Sequence, residues 1–327
     1  MTDRTATAQA SPNIALIKYW GNRNNELRLP VSSSLSFNLA ELHTQTTVTW
    51  SDGTAADTVL INGEPVTGGA YERVVGHLDH VRKLAGTTAR AAIESSNNFP
   101  TGAGIASSAA AFAALSLAAT AALGLALDER ALSTLARLGS GSAARSIPGG
   151  FVAWYAADEH ANSYAETIAP PEHWALIDLV AVISQEHKQT GSTVGHSLAP
   201  TSPLQAARNA SAAERFEQCQ AALLTRDFPA LADVTERDSN VMHAVMMTSE
   251  PPLFYWQPET LRIMESVRQW RKADGHKVCY TIDAGPNVHC ICTAQSADAV
   301  EGLLRALPGV LDVRRATVGG PAHLVTV

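Results

Sequence analysis

The 327-residue sequence contains four cysteines, Cys219, Cys279, Cys290 and Cys292, and no C-x-x-C pair among them. That absence argues against the common zinc and dithiol motifs and leaves reduced structural thiols as the reading, with Cys290 and Cys292 on one face of a strand. Eleven histidines show no H-E-x-x-H or comparable ligand spacing, so no transition-metal site is expected. Charge is scarce as well. Only 17% of residues are Asp, Glu, Lys or Arg, they form no blocks, and a net charge of −7 offers no footprint for nucleic acid or membrane. An anionic substrate must therefore be held by a local cluster of cations and backbone N–H groups. The start, Met1 to Ser11, lacks the apolar core of a secretory signal, and a cytoplasmic protein is expected. The nearest approach to a membrane span is the uncharged run Ala109 to Leu127. Much of it is alanine, Ser116, Thr120 and Gly124 interrupt it, and no aromatic or basic anchors flank it, so it reads as a buried central helix.

What is present is 46% apolar content, enough for one large core or two. Alternation predicts strands at Ser33 to Leu39 and Thr44 to Trp50, then a turn at Asn62-Gly63 and a helix over Ala70 to Leu84. After the long alanine-rich helix come a helix at Ala131 to Leu138, a break at Gly149-Gly150, and strands at Phe151 to Tyr155 and Leu176 to Ser184. Longer helices follow at Ser211 to Leu224, Phe228 to Met247 and Pro258 to Ala273. Strands at Val278 to Ile282 and Val288 to Thr293, a helix at Ala297 to Leu307 and two closing strands complete an α+β order. A boundary is expected near Ser184, separating 1–184 from 185–327.

Four segments carry chemistry. In Asn97-Asn-Phe-Pro-Thr-Gly-Ala-Gly-Ile-Ala-Ser-Ser-Ala-Ala110, Gly102 and Gly104 allow close backbone approach, Ser107 and Ser108 add hydroxyls, and a helix start supplies free N–H groups. This is either an anion cradle or a turn that caps a helix; it is neither a P-loop nor a Rossmann fingerprint. A second stretch, Gly139 to Gly150, places Ser140 and Ser142 two apart with Arg145 beyond them, a set suited to a phosphate or carboxylate. A third, Ser11 to Gly21, puts Lys18 in an apolar run beside two aromatics, where it needs a partner. The fourth, Tyr280 to Asn287, offers Asp283 in a turn, as that partner or merely as a turn former.

Together these segments resemble the mevalonate diphosphate decarboxylase family, within the galactokinase, homoserine kinase, mevalonate kinase and phosphomevalonate kinase (GHMP) superfamily. The matches run in chain order: Asn13-Ile-Ala-Leu-Ile-Lys-Tyr-Trp-Gly21, Leu29-Pro-Val-Ser-Ser-Ser-Leu-Ser36, Asn97 to Ala110, Ser140-Gly-Ser-Ala-Ala-Arg-Ser146, Gly191-Ser-Thr-Val-Gly195 and Asp283-Ala-Gly-Pro-Asn287. The resemblance implies a two-domain GHMP-kinase-like fold, with an active-site cleft between an N-terminal α/β domain and a C-terminal ferredoxin-like α+β domain. It also implies ATP-dependent 3-phosphorylation and decarboxylation of a 5-phosphorylated mevalonate in isoprenoid biosynthesis.

By the same resemblance Asp283 orients or deprotonates the 3-hydroxyl, Lys18 contacts both this acid and the substrate, Ser108 is tied to catalysis, and Arg145 holds the carboxylate. Tyr19, Asn22, Ser140, Gly141, Ser142, Lys188 and Ser192 are the other implied substrate contacts. Asn97, Pro100, Gly102, Ala103, Gly104, Ser107 and Ser108 are the implied ATP contacts, with Mg²⁺ carried by the ATP phosphates and Ser108. A homodimer with small-molecule substrates only is implied too.

One position departs from the pattern. Where many family members have a lysine that touches the 5-diphosphate, this chain has Asn22, so both a 5-monophosphate and a 5-diphosphate substrate stay open; Arg23, Lys188 and Ser192 remain to serve the terminal phosphate. A 3-hydroxyl kinase without decarboxylation, and a non-catalytic nucleotide or metabolite sensor, are the alternatives.

Overall fold

The computed structural model describes residues 3–99, 107–184 and 190–326. Three main sheets organise them. In the first, six strands run in the order His323–Leu324, Arg4–Ala10, Thr44–Ser51, Arg90–Asn97, Thr58–Ile61 and Glu64–Pro65. All neighbours are antiparallel except Thr58–Ile61 beside Arg90–Asn97, a parallel pair joined through the helix Gly68–Ala85. Thr44–Ser51 alternates strictly between buried and half-buried positions, as its sequence predicts for a strand with one covered face.

The helix Ser107–Ala122 lies against this sheet. Its alanines 109, 110, 113, 114, 118 and 119 are fully enclosed, and the Trp50 indole donates to the Ala119 carbonyl at 3.0 Å. Small side chains on every side let sheet and helices approach it all round, and no helix among the described residues is long and apolar enough to cross a membrane. The helix stops five residues short of Leu127, because Gly124 takes a left-handed turn at φ +70°.

The second sheet, in the order Ala165–Ala169, Phe151–Trp154, Ser34–Asn38 and Asn13–Ile17, shares a core with the third. The third orders Val278–Thr281, Val288–Thr293, Leu176–Val182 and Asp312–Thr317, all antiparallel. Helices Pro258–Ala273 and Ala294–Ala306 pack on one of its faces, while Ala212–Thr225 and Phe228–Met247 fill the space toward the second sheet.

Several expectations shift. The polar start is a strand, Arg4–Ala10, in which Thr5, Thr7 and Gln9 alternate with Ala6, Ala8 and Ala10, and the apolar run before Lys18 is another, Asn13–Ile17, buried throughout and without alternation. The break expected near Ser184 falls after a strand whose hydrogen bonds all go to later strands, since Leu176–Val182 sits between Val288–Thr293 and Asp312–Thr317. The last strand, His323–Leu324, returns to pair with Arg4–Ala10.

Candidate active site

Strand Asn13–Ile17 delivers Lys18 into the space between the second and third sheets, where its side chain is 1% exposed. Lys18 Nζ lies 2.5 Å from Asp283 Oδ1, in the turn that follows strand Val278–Thr281. Burial pulls the lysine below its ordinary pKa, and the carboxylates of Asp283 and Asp238 oppose that pull. Burial alone would raise the Asp283 carboxyl, but the Lys18 ammonium, with His289 and Arg145, brings it below the usual value, so the acid stays ionised.

Arg145 faces this pair from the short 3₁₀ turn Gly141–Ser146 and is 2% exposed. Its Nε donates to Asn13 Oδ1 at 3.2 Å and Ser36 Oγ at 3.0 Å, and its Nη1 donates to Ser34 Oγ at 2.6 Å. These partners are neutral, and among the described residues no carboxylate pairs with this guanidinium. Burial lowers its pKa to about 10, which still leaves a full cation at neutral pH. Such a group suits an incoming carboxylate or phosphate.

A cavity of about 240 Å³ opens among these groups. Its walls include Lys18, Tyr19, Ser107, Ser108, Ser142, Arg145, Ser192 and Asp283, so the structure brings these sequence-predicted residues together. Ser108 Oγ lies 3.1 Å from Ser140 Oγ, which joins the start of helix Ser107–Ala122 to the turn that carries Arg145. Gly141 serves by what it lacks. A Cβ there would come within 2.4 Å of the Tyr19 ring, which is stacked on His196 at 4.0 Å and set edge-on to Trp154 at 4.7 Å.

A second cavity, about 200 Å³ and mostly apolar, shares Ser107, Ser108 and Arg73 with the first and is closed by Val59, Ile61, Val74, Ile93, Phe112 and Leu115. Asn97 lines this second cavity, not the first. Asn22 lines neither; it accepts from the Tyr19 hydroxyl and donates to Asn25 at 3.0 Å. Arg23 does not line the cavity either; its guanidinium bonds Asp158 and the Pro30 carbonyl. Lys188, Pro100, Gly102, Ala103 and Gly104 lie outside the described residues.

Sequence reasoning overlooked several residues. Ser34 and Ser36 share one strand face, so the period-2 spacing of two hydroxyls was a readable signal. Arg73 was not readable: it bonds the Gly139 carbonyl through Nε at 2.9 Å and Nη2 at 2.7 Å, lies over the Phe112 ring at 4.7 Å, and reaches both cavities. His196 likewise has no local signature, since its Nδ1 accepts from the Gly21 amide, 175 residues away, at 3.0 Å.

Known proteins match both halves of the chain. Residues 10–165 match the family model described as the diphosphomevalonate decarboxylase-like N-terminal domain, and residues 178–318 match that of the mevalonate 5-diphosphate decarboxylase C-terminal domain. The chain is 39% identical to diphosphomevalonate decarboxylase mvd1 of Aspergillus fumigatus, over 94% of this chain and 82% of that one. It is 35% identical to the phosphomevalonate decarboxylase of Haloferax volcanii, over 98% and 97%. A solved structure, MDDEF in complex with MVAPP, AMPPCP and magnesium, superposes with a TM-score of 0.93 at 36% identity, covering 100% of both chains. With two family models accounting for most of its length and a solved relative overlaying it from end to end, the chain belongs to the diphosphomevalonate decarboxylase family.

Proposed function

We propose that the protein uses ATP to decarboxylate a 5-phosphorylated mevalonate through transient phosphorylation of the 3-hydroxyl, releasing ADP, phosphate, CO₂ and isopentenyl phosphate or diphosphate. The observation that carries this reading is the Lys18–Asp283 pair, set in one cavity with Arg145 and with the helix start at Ser107 and Ser108. The names of the relatives support it, as do the ligands of the solved complex.

In this reading Asp283, held ionised, accepts the 3-hydroxyl proton as that oxygen attacks the γ-phosphoryl group of ATP. The N–H groups at the start of helix Ser107–Ala122 and the Lys18 ammonium face the charge that develops. Magnesium, when bound through the ATP phosphates, neutralises part of their charge, and the Ser108 hydroxyl adds an oxygen donor of the kind that ion prefers. Arg145, held by Asn13, Ser34 and Ser36, grips the substrate carboxylate. Departure of the new phosphate leaves an electron-poor tertiary carbon, which takes up the electron pair of the breaking C–C bond as CO₂ leaves. The nucleotide base occupies the apolar second cavity, so ATP enters past Asn97 and Arg73.

The 5-phosphoryl end of the substrate lies toward Tyr19 and Ser192. The two named relatives differ in the phosphate count of their names, and Asn22 brings an amide rather than a cation to this region. The change of strand pairing from the second sheet to the third between Ala169 and Leu176 supports a two-domain division there rather than at Ser184. Four buried free thiols support a cytoplasmic setting. A homodimer follows from family likeness and is tested by sedimentation velocity.

The deciding assay supplies ATP, Mg²⁺ and either 5-phosphomevalonate or 5-diphosphomevalonate. Equimolar CO₂, ADP and phosphate are expected from at least one of them. A stable 3-phosphorylated product without CO₂ would make the protein a kinase, and ATP binding without turnover would make it a sensor.

A further inference from the structure

Strand pairing ends at Ile17, yet Lys18 to Trp20 are buried, so their backbone polar groups need other partners. Side chains from helices some two hundred residues away supply them. The Lys18 amide donates to Asp238 Oδ2 at 2.6 Å, and the Lys18 carbonyl accepts from Arg208 Nη2 at 2.8 Å. Arg208 Nη1 donates to the Trp20 carbonyl at 3.1 Å, and Gln205 Nε2 donates to it at 3.2 Å. Behind them Arg215 Nε donates to Asp238 Oδ1 at 2.7 Å and its Nη2 to the Arg208 carbonyl at 3.0 Å. Asp238 is 0% exposed, Arg208 2% and Arg215 5%. None of the three lines the cavity, and the reaction above uses none of them.

A buried ion cluster at a helix junction is often only structural. Two observations separate this one. Its carboxylate binds the backbone of Lys18 itself, and it is the second carboxylate that acts on the Lys18 ammonium. Lys18 is faced by Asp283, by Arg145 from the 3₁₀ turn, by Asp238 and His243 from helix Phe228–Met247, and by His289 from strand Val288–Thr293. Burial pushes His243 down to about 3, so that ring is neutral and contributes no charge. His289 has Asp178 as its own partner at 2.6 Å.

We propose that Asp238, backed by Arg215 and Arg208, is a positioning residue that holds Lys18 in place and keeps it a cation while Asp283 carries the substrate's proton. The consequence of that hold rests on the decarboxylation reading. When Asp283 takes the hydroxyl proton it loses its charge, and the buried ammonium loses its nearer counter-ion. Desolvation would then favour release of the lysine proton just as the phosphoryl group needs a cation beside it. Asp238 does not change charge in that step, so its hold on Lys18 persists.

The chain contains five lysines, which makes lysine ¹³Cε NMR a direct readout of Lys18, independent of the reaction. In Asp238→Asn the Lys18 titration midpoint is expected to fall, and the alkaline limb of kcat to move to lower pH with it, while KM for ATP changes little. In Arg215→Gln, which removes the cation that offsets Asp238, the midpoint is expected to rise. Structural damage would move both variants the same way. An unmoved midpoint in Asp238→Asn, or shifts of the same sign in both, overturns the proposal. Should Asp238→Asn fail to fold, the absence of a rise in Arg215→Gln overturns it alone. Wild-type protein that releases no CO₂ refutes the decarboxylation reading and leaves the NMR result standing.

Discussion

Lys18 Nζ and Asp283 Oδ1 meet at 2.5 Å across 265 residues of chain, and they share the contact unequally. The lysine side chain is 1% exposed and the aspartate 26%, so the ammonium stands behind the carboxylate and the carboxylate faces the cavity. In the proposed reaction that order makes Asp283 the group that reaches the hydroxyl, with Lys18 setting its charge from the protein side.

Replacing Asp283 by Asn keeps the shape and removes the base. We expect kcat to fall at least about a hundredfold, with ATP affinity close to normal because the cavity proposed for the nucleotide base does not include this residue. Steady-state kinetics beside ATP titration checks this, and a variant with near-wild-type kcat would remove Asp283 from its role.

Gly141→Ala tests the packing around Tyr19. The added carbon would sit 2.4 Å from a ring that Trp154 and His196 already confine, so the ring must shift. Overpacking of this kind costs about 1–3 kcal/mol, and the displaced hydroxyl no longer reaches Asn22. The expected result is a raised KM for the phosphorylated mevalonate, an unchanged KM for ATP and a lower denaturation midpoint. Equal changes in both KM values would count against a role for Tyr19 at the substrate end.

Asn22→Lys adds a cation next to Tyr19. The ratio of kcat/KM for the 5-diphosphate to that for the 5-monophosphate should increase, by about tenfold if a single charge-assisted hydrogen bond is gained. If the ratio stays constant, Asn22 does not set the phosphate count.

His289 and Asp178 form a buried pair at 2.6 Å, on neighbouring strands of the third sheet. Burial alone would lower the imidazole pKa, but the Asp178 carboxylate raises it above 6.5. The folded protein thus binds this proton more tightly than the unfolded chain. The stability it brings is whole below about pH 6.5 and is lost as pH rises through the folded value. Urea midpoints of wild type and His289→Gln, measured from about pH 6 to about pH 9, should converge as pH rises. A gap that widens instead would show that the ring is neutral in the folded state.

Much of the site was legible because its parts are local. Ser107, Ser108, Ser142, Arg145, Lys18 and Asp283 each stood in a short segment whose composition pointed to chemistry, and all six line one cavity. Helices Phe228–Met247 and Pro258–Ala273 begin and end where their sequence predicts, since Asp227 caps the first, Gln257 the second, and a proline sits in each first turn. The strand Asn13–Ile17 was missed because it is buried on both faces, and a continuous apolar run carries no period.

Local signals also misplaced what depends on distant pairing. Leu176–Val182 reads as a buried strand, but nothing in its seven residues says that its neighbours come more than a hundred positions later. Asn22 and Arg23 stand beside the substrate motif in sequence, but neither lines the cavity: Asn22 bonds Tyr19 and Asn25, and Arg23 bonds Asp158. The cluster of Asp238, Arg208 and Arg215 gave only a faint sign: Thr235, Asp238, Ser239 and Met242 recur at helical spacing, so a charged residue lies on a buried face.

The sequence by itself therefore determined which side chains exist for the chemistry and which elements carry them, because caps, turns and periodicity act over a few residues. Tertiary structure alone decided which charges face one another. A pair such as Lys18 and Asp283, and the Asp238 carboxylate behind Lys18, comes into being only when sheets and helices pack, and packing excludes the water that would otherwise screen them.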